Sequence, residues 1–203
     1  LIDDASTDHT AAIAERFAKR HPGYPLSVTV NRERLGGCAN YTRGFRAAPA
    51  GSIVLQVDAD DWLPDPRVFA YLSRLYSDPE VWMTYNTWVY PDGSRCGYCD
   101  AITREVIDNR SYRDQPWISS HLHSFRAELF GHVRDDSLRD PETGDFWSAA
   151  VDMSHYLPML ELAGRHARHI DRTMYVYNFH PESIGRARRS EQLHCERRIR
   201  ALP

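Results

Sequence analysis

Short apolar runs alternate with amphipathic segments through the first ninety residues of this chain, and the alternation predicts a β-α-β-α order. Leu1 to Asp4 reads as the end of a strand, followed by Ser6, Thr7 and Asp8 as caps for a helix over Thr10 to Arg20, which His21-Pro22-Gly23 breaks. Leu26 to Val30 is the next strand, then a glycine-bearing loop and a helix from about Cys38 to Ala48. Ile53 to Val57 is a β-branched run of buried-strand length. A helix opened by Pro64-Asp65-Pro66 runs on to Tyr76, and Trp82 to Tyr90 is a further strand. Alternation of this kind implies a three-layer α/β fold.

Beyond residue 100 the pattern loosens. Polar, aromatic-bearing stretches at Tyr112 to Trp117 and Asp135 to Phe146 read as long loops of the kind that build binding sites. Helical periodicity returns over Ser148 to Leu162, closed by Gly164, with Pro158 as a point of kinking. The tail from Arg186 to Arg200 carries six arginines and reads as a solvated helix face.

Composition narrows the class. A chain of 203 residues with 42% hydrophobic and 26% charged residues supports one globular domain with a real core. A formal net charge of -3 argues against nucleic-acid binding by bulk electrostatics. No apolar run approaches the ~18 residues of a membrane span. The chain opens inside a strand, without an initiator Met, which reads as a domain whose amino-terminal segment is absent. Cys96-Gly97-Tyr98-Cys99 has zinc-ligand spacing but no second pair. It follows Pro91-Asp92-Gly93-Ser94, so reduced thiols at a hairpin end are the expectation.

The chemistry lies at strand ends. Asp58, Asp60 and Asp61 follow an apolar strand and project where open α/β sheets bind ligands. Grouped hard oxygen donors suit Mg²⁺ or Mn²⁺, which neutralise phosphate oxygens. Asp3 and Asp4 end the first strand, and the turn from Asn31 to Gly37 ends the second, with Gly36 and Gly37 clearing the backbone for a ligand. Capping the next helix is the competing role for Asp3 and Asp4, and a turn or helix start for Asp58 to Asp61. Asp152, between Ala149, Ala150, Val151 and Met153, requires either a cleft or an ion pair with an arginine. His121 and His123 would place both imidazoles on one face of a strand, compatible with a metal or with the lining of a loop or acceptor pocket. Trp117 and Trp147 are candidates for stacking on a sugar or for the core.

Taken in order, Ile2-Asp3-Asp4-Ala5-Ser6-Thr7-Asp8, then Asn31 through Gly37 with Asn40 and Gly44, then Val57-Asp58-Ala59-Asp60-Asp61 resemble the motifs of family 2 glycosyltransferases. Val151-Asp152 and Tyr177-Asn178-Phe179-His180-Pro181-Glu182-Ser183 match that family more weakly. The resemblance implies a GT-A fold, a Rossmann-like three-layer α/β/α sandwich with a mixed, mostly parallel central sheet. It implies one domain over 1–203, with 1–90 binding nucleotide-sugar and 91–203 supplying acceptor binding and catalysis. Asp4 would bond the donor base, usually uracil, and Asp3 would support its strand end. Asn31, Gly36, Gly37, Asn40 and Asp58 would complete the nucleotide site. Asp60 and Asp58 would hold Mn²⁺ or Mg²⁺, with Asp61 binding the same ion through water or orienting the sugar, and with His180 touching diphosphate or metal unless it is only a turn residue before Pro181.

Asp152 would be the base in an inverting transfer from a nucleotide-diphosphate sugar to a glycan, lipid or protein. A cytoplasmic setting, peripheral to the membrane, and a place in cell-wall or polysaccharide biosynthesis go with that resemblance. Two departures stand out: the family's leading strand with its Pro-x-Tyr/Phe-Asn turn is missing, and Cys38-Ala39 stands where Ala-Arg is common, so that a donor contact is either lost or supplied by Arg34 or Arg43. The competing readings are a silent nucleotide- or glycan-binding module and a dehalogenase-type phosphatase. The latter gives no role to the motif at residues 3–8. A Rossmann dehydrogenase is excluded, since no G-x-G-x-x-G is present.

Overall fold

The computed structural model describes residues 1–179 and 188–203. Among the described residues, six strands form two sheets. Strands β1 (Ile2–Asp3) and β2 (Thr29–Val30) pair in parallel, with Ile2 opposite Thr29. Strands β3 (Ile53–Leu55), β4 (Met83–Asn86), β5 (Ser120–Arg126) and β6 (Ala167–Ile170) form the larger sheet in the order β3-β5-β4-β6. β5 runs against both of its neighbours while β4 and β6 are parallel, so three of the four strands share one direction. The sheet is mixed and mostly parallel, as expected.

The helices follow the predicted segments closely. Helix α1 spans Thr10–Arg20 as anticipated, with the Asp8 carboxylate accepting the Thr10 N–H at 2.9 Å. Helices α2 (Gly37–Arg46) and α3 (Arg67–Leu75) each stop one or two residues short of the sequence limits. Strands are shorter than their apolar runs. β3 ends at Leu55; the Gln56 N–H still donates to the His123 carbonyl at 3.3 Å before the chain turns toward the carboxylates. Helices α4 (Arg104–Asn109) and α5 (Ala127–Gly131) are brief and flank β5.

Helix α6 (Val151–Ala163) is buried at every position from Met153 through Leu160, including Ser154 and His155, which makes it the central helix of the core. It begins at Val151 rather than Ser148, which places Asp152 in its first turn, where the helix dipole favours a carboxylate. Gly164, at φ 52°, closes it. On helix α7 (Arg189–Arg200) the solvated arginine face holds for Arg189 and Arg197, which are exposed, but not for Arg198 and Arg200. Arg198 forks onto both oxygens of Asp140 at 2.7 Å, and Arg200 reaches the carbonyls of Arg113 and Gln115 at 2.7 Å. Both guanidinia knit loops to the body of the domain.

The larger core cluster joins Phe45 of α2, Met83, Phe125, Phe130, Trp147 and the buried face of α6. Phe125 lies at its centre, fully buried on β5, with its ring edge-on to Phe45 at 5.0 Å. Trp147 belongs to this core rather than to a sugar site, since its indole N–H donates to the Ser137 carbonyl. Replacing Phe125 with Ala should lower unfolding free energy by ~3–5 kcal/mol, measured by urea titration. A loss below about 1 kcal/mol would show that the core does not close around this ring.

Candidate active site

The first three motifs converge on one cavity of about 360 Å³, lined among others by Asp4, Gly37, Asn40, Tyr41 and Asp58. It lies between the two sheets, with Ile2 on one side and Val57 on the other. Asp4 organises its outer wall. Its carboxylate accepts the Leu35 N–H at 2.8 Å, the Gly36 N–H at 3.0 Å and the Asn31 amide at 2.9 Å. Burial pushes its pKa up, but these donors together outweigh that and hold it down at about 2. Asn31 also donates to Asn40 at 2.8 Å and accepts from Arg43 at 3.1 Å. Arg43 therefore braces Asn31 from α2.

Gly36 has φ 85° and ψ 159°, a region closed to side-chain-bearing residues. Gly37 is less constrained, since an added Cβ would meet Tyr41 and Val151 only at ordinary contact distances. Asp3 is buried. One of its oxygens accepts the Ser6 N–H at 3.0 Å, and the other has no partner among the described residues. It supports the strand end from beneath.

The carboxylate turn is anchored at both ends. Asp58 Oδ1 accepts from the Tyr41 hydroxyl and from Gln56 Nε2 at 3.1 Å, while Gln56 Oε1 accepts from the Tyr156 hydroxyl of α6. The Asp58 N–H donates to the Tyr175 hydroxyl at 3.1 Å, and that hydroxyl donates on to Asp61 Oδ2 at 2.7 Å. The Asn178 N–H donates to Asp61 Oδ1 at 2.7 Å. Both oxygens of Asp61 are thus engaged within the protein. Its pKa is raised, first by burial and further by the charges of Asp60 and Asp58, against the pull of Tyr175 and Asn178. Asp60 is exposed and has no protein partner among the described residues.

Tyr41, Gln56, Tyr156 and Tyr175 do not stand out in the sequence as site residues. The readable signal was Gln56, a polar residue in an apolar strand, which is buried here and so needs partners.

No three His, Cys, Asp or Glu side chains among the described residues are grouped as a metal site. The donor set nevertheless suits a hard divalent cation. Asp60 has both oxygens available and Asp58 has Oδ2, and Mg²⁺-type ions commonly use one or two carboxylates with water and substrate phosphates. His180 lies outside the described residues.

A second cavity, of about 510 Å³, holds Asp152. Five aromatic residues, Trp88, Tyr90, Tyr98, Tyr177 and Phe179, line it together with Ser120, His121, Arg189 and Gln192. Of the stretches anticipated as site loops, neither 112–117 nor 135–146 contributes to this lining. The Asp152 carboxylate accepts the Met153 N–H at 2.9 Å and the Trp117 indole N–H at 3.0 Å. No arginine pairs with it among the described residues. Burial raises its pKa, against the pull of His121, Met153 and Trp117, and the Asp58 charge raises it further. Trp117 accordingly supports the carboxylate from below.

The two strand histidines have different surroundings. His121 faces the cavity and stacks on Tyr175 at 4.8 Å, whereas His123 is fully buried against Tyr156 at 3.6 Å. The β4–β5 pairing moves from Thr84↔Ser124 to Asn86↔Ser120 across an irregularity at this point, which interrupts the simple strand alternation. Two non-glycine residues with left-handed backbone, Ala5 (φ 56°) and Ala150 (φ 52°), lie next to Asp4 and two before Asp152. Strain of that kind concentrates at functional sites.

Residues 1–130 match the sequence profile of Glycosyl transferase family 2, and the chain belongs to that family. No curated protein matches it. Among solved structures it is similar to S. aureus TarS, with a TM-score of 0.61 and 18% identity over 96% of this chain and 35% of that one. It is similar also to the mannosyltransferase PcManGT from Pyrobaculum calidifontis, solved in complex with GDP-Man and Mn²⁺, with a TM-score of 0.61 and 21% identity over 98% of this chain and 52% of that one. The glucosyl-3-phosphoglycerate synthase of Mycobacterium tuberculosis, solved with Mn²⁺, UDP and glucosyl-3-phosphoglycerate, aligns with a TM-score of 0.60 and 15% identity over 100% of this chain and 68% of that one. The chain therefore spans about a third of TarS and half of the mannosyltransferase. These neighbours establish the GT-A glycosyltransferase fold.

The network around Asp4 makes stability depend on pH in a definite direction. Its folded pKa is depressed from 3.8 to about 2, so its contribution is present above 3.8 and disappears as pH falls through about 2. Asp4→Asn should reduce the urea midpoint near neutral pH, with the gap to wild type closing toward about pH 2. Parallel pH profiles for the two proteins would rule this out.

Proposed function

We propose that the chain is the donor-binding and catalytic domain of an inverting glycosyltransferase, transferring a sugar from a nucleoside-diphosphate sugar to an acceptor hydroxyl. The observation that carries this reading is the pairing of two cavities. One is ringed by the three strand-end motifs, and the other holds Asp152 within electrostatic reach of Asp58.

In this reading the nucleotide occupies the cavity of Asp4, Gly37, Asn40 and Asp58, with Asp3, Asn31 and Gly36 holding its wall. Asp60 and the free oxygen of Asp58 would hold Mn²⁺ or Mg²⁺, which when bound neutralises the leaving diphosphate without a proton donor. Asp61 keeps the turn in shape. Asp152 accepts the proton of the acceptor hydroxyl, and its raised pKa makes it a stronger base than an exposed carboxylate. The acceptor oxygen then bonds to the anomeric carbon as the bond to diphosphate breaks. A single base and direct displacement predict inversion. Aromatic rings around Asp152 offer faces for an acceptor such as a glycan, and UDP is the first donor nucleotide to test.

Calorimetric titration of UDP, GDP and dTDP with and without Mn²⁺ tests the donor half. One nucleotide should bind in a Mn²⁺-dependent manner, and Asp60→Ala should remove that dependence. Unchanged Mn²⁺-linked affinity in the variant would defeat the metal assignment.

For the catalytic half, Asp152→Asn should leave nucleotide binding intact and lower transfer by roughly 10²–10⁴-fold. Wild-type turnover in that variant would make Asp152 structural. Donor binding with no transfer to any acceptor by the wild-type protein would favour a silent binding module.

A further inference from the structure

The second cavity has a wall whose chemistry the transfer reaction does not use. Tyr98, which lines the cavity beside Asp152, sits between two cysteines in Cys96-Gly97-Tyr98-Cys99. The Cys96 and Cys99 sulfurs are 3.2 Å apart, closer than non-bonded sulfurs ordinarily sit. Cys96 is buried and held in place by its N–H donating to the Trp88 carbonyl at 3.0 Å, while Cys99 is partly exposed. The hairpin beneath them is pinned by the Val89–Arg95 bridge and by the Arg95–Asp171 ion pair at 2.5 Å. Ser120, the residue before His121, accepts the Trp88 indole N–H at 3.1 Å. A metal does not account for the pair, since no third ligand is grouped with it among the described residues.

We propose that Cys96 and Cys99 form a reversible disulfide that locks the Tyr98 wall of the Asp152 cavity. The oxidant is a small-molecule disulfide such as oxidised glutathione. The Cys99 thiolate attacks one sulfur of that disulfide and expels a first thiolate, giving a mixed disulfide on Cys99. Cys96 then attacks the Cys99 sulfur, the mixed bond breaks, and a second thiolate leaves. The two protons lost by the cysteines pass through solvent to the two released thiols, so two protein thiols are oxidised as one external disulfide is reduced. The pre-existing contact makes the second step intramolecular and fast, which favours closure over a lasting adduct. Burial holds the Cys99 thiol well above its ordinary range, so exchange is slow at neutral pH and accelerates as pH rises.

The test is incubation of the whole protein with oxidised glutathione at mildly alkaline pH. Denaturing alkylation, intact mass and peptide mapping then read the cysteines, and hydrogen–deuterium exchange is followed over residues 95–100. The expected product is two hydrogens lighter, carries no glutathione and is protected at Cys96 and Cys99 together, while Cys38 and Cys195 still alkylate. Exchange over residues 95–100 should slow several-fold and recover on reduction. Cys99→Ser should show neither change. A stable glutathione adduct, four alkylatable thiols after exposure, or unchanged exchange in the closed form would overturn the proposal, whatever the fate of the glycosyl-transfer reading.

Discussion

The site depends on one constraint, the anchoring of the carboxylate turn at both ends by hydroxyls from elsewhere in the chain. Tyr175 bonds the Asp58 backbone and the Asp61 side chain with a single oxygen, so the turn has a fixed width. Gln56, supported by Tyr156 of the central helix, and Tyr41 of α2 hold the Asp58 carboxylate from the core side. These groups are largely removed from water, where a satisfied hydrogen-bond network is rigid and a half-satisfied one is costly. Rigidity here has a use. Three adjacent carboxylates repel one another, and the partners on Asp58 and Asp61 hold the turn against that repulsion while Asp60 remains open to solvent.

The same network ties the two cavities together. Tyr156 and Asp152 belong to one helix, so a shift of α6 would move the Asp58 support and the Asp152 carboxylate together. Tyr175 also stacks against His121, which lines the cavity of Asp152. The polar groups of the site are thus mounted on the elements that build the core, which is how a fold holds reacting groups to a narrow tolerance. The cysteine hairpin joins this frame through Ser120 and Trp88, so a covalent change there acts on the wall of one cavity without touching the carboxylate turn.

Much of the architecture was legible from local pattern. Helix α1 coincides with its predicted span, and α2, α3 and α6 differ only at their ends, where caps and frayed turns decide. Asp4 and Asp58 line one cavity from the ends of strands, as such positions in an α/β fold suggest, while Asn40 reaches it from α2 and Asn31 bonds Asp4 at its wall. Distinctions among chemically similar residues were not legible. Trp117 bonds Asp152 whereas Trp147 is core, His121 faces a cavity whereas His123 is sealed, and Arg198 and Arg200 turn inward on a helix that reads as solvated.

The sequence by itself determined the class of fold, the strand-end carboxylates and the turn that carries them, since each rests on periodicity or on residues a few positions apart. Tertiary structure alone decided which carboxylate stays free. Asp58, Asp60 and Asp61 are equivalent in sequence terms, and they are told apart by Tyr41, Tyr175 and Asn178, the last two more than a hundred residues away. Pairings over such separations depend on how the sheet and the central helix pack, and no local pattern records that packing.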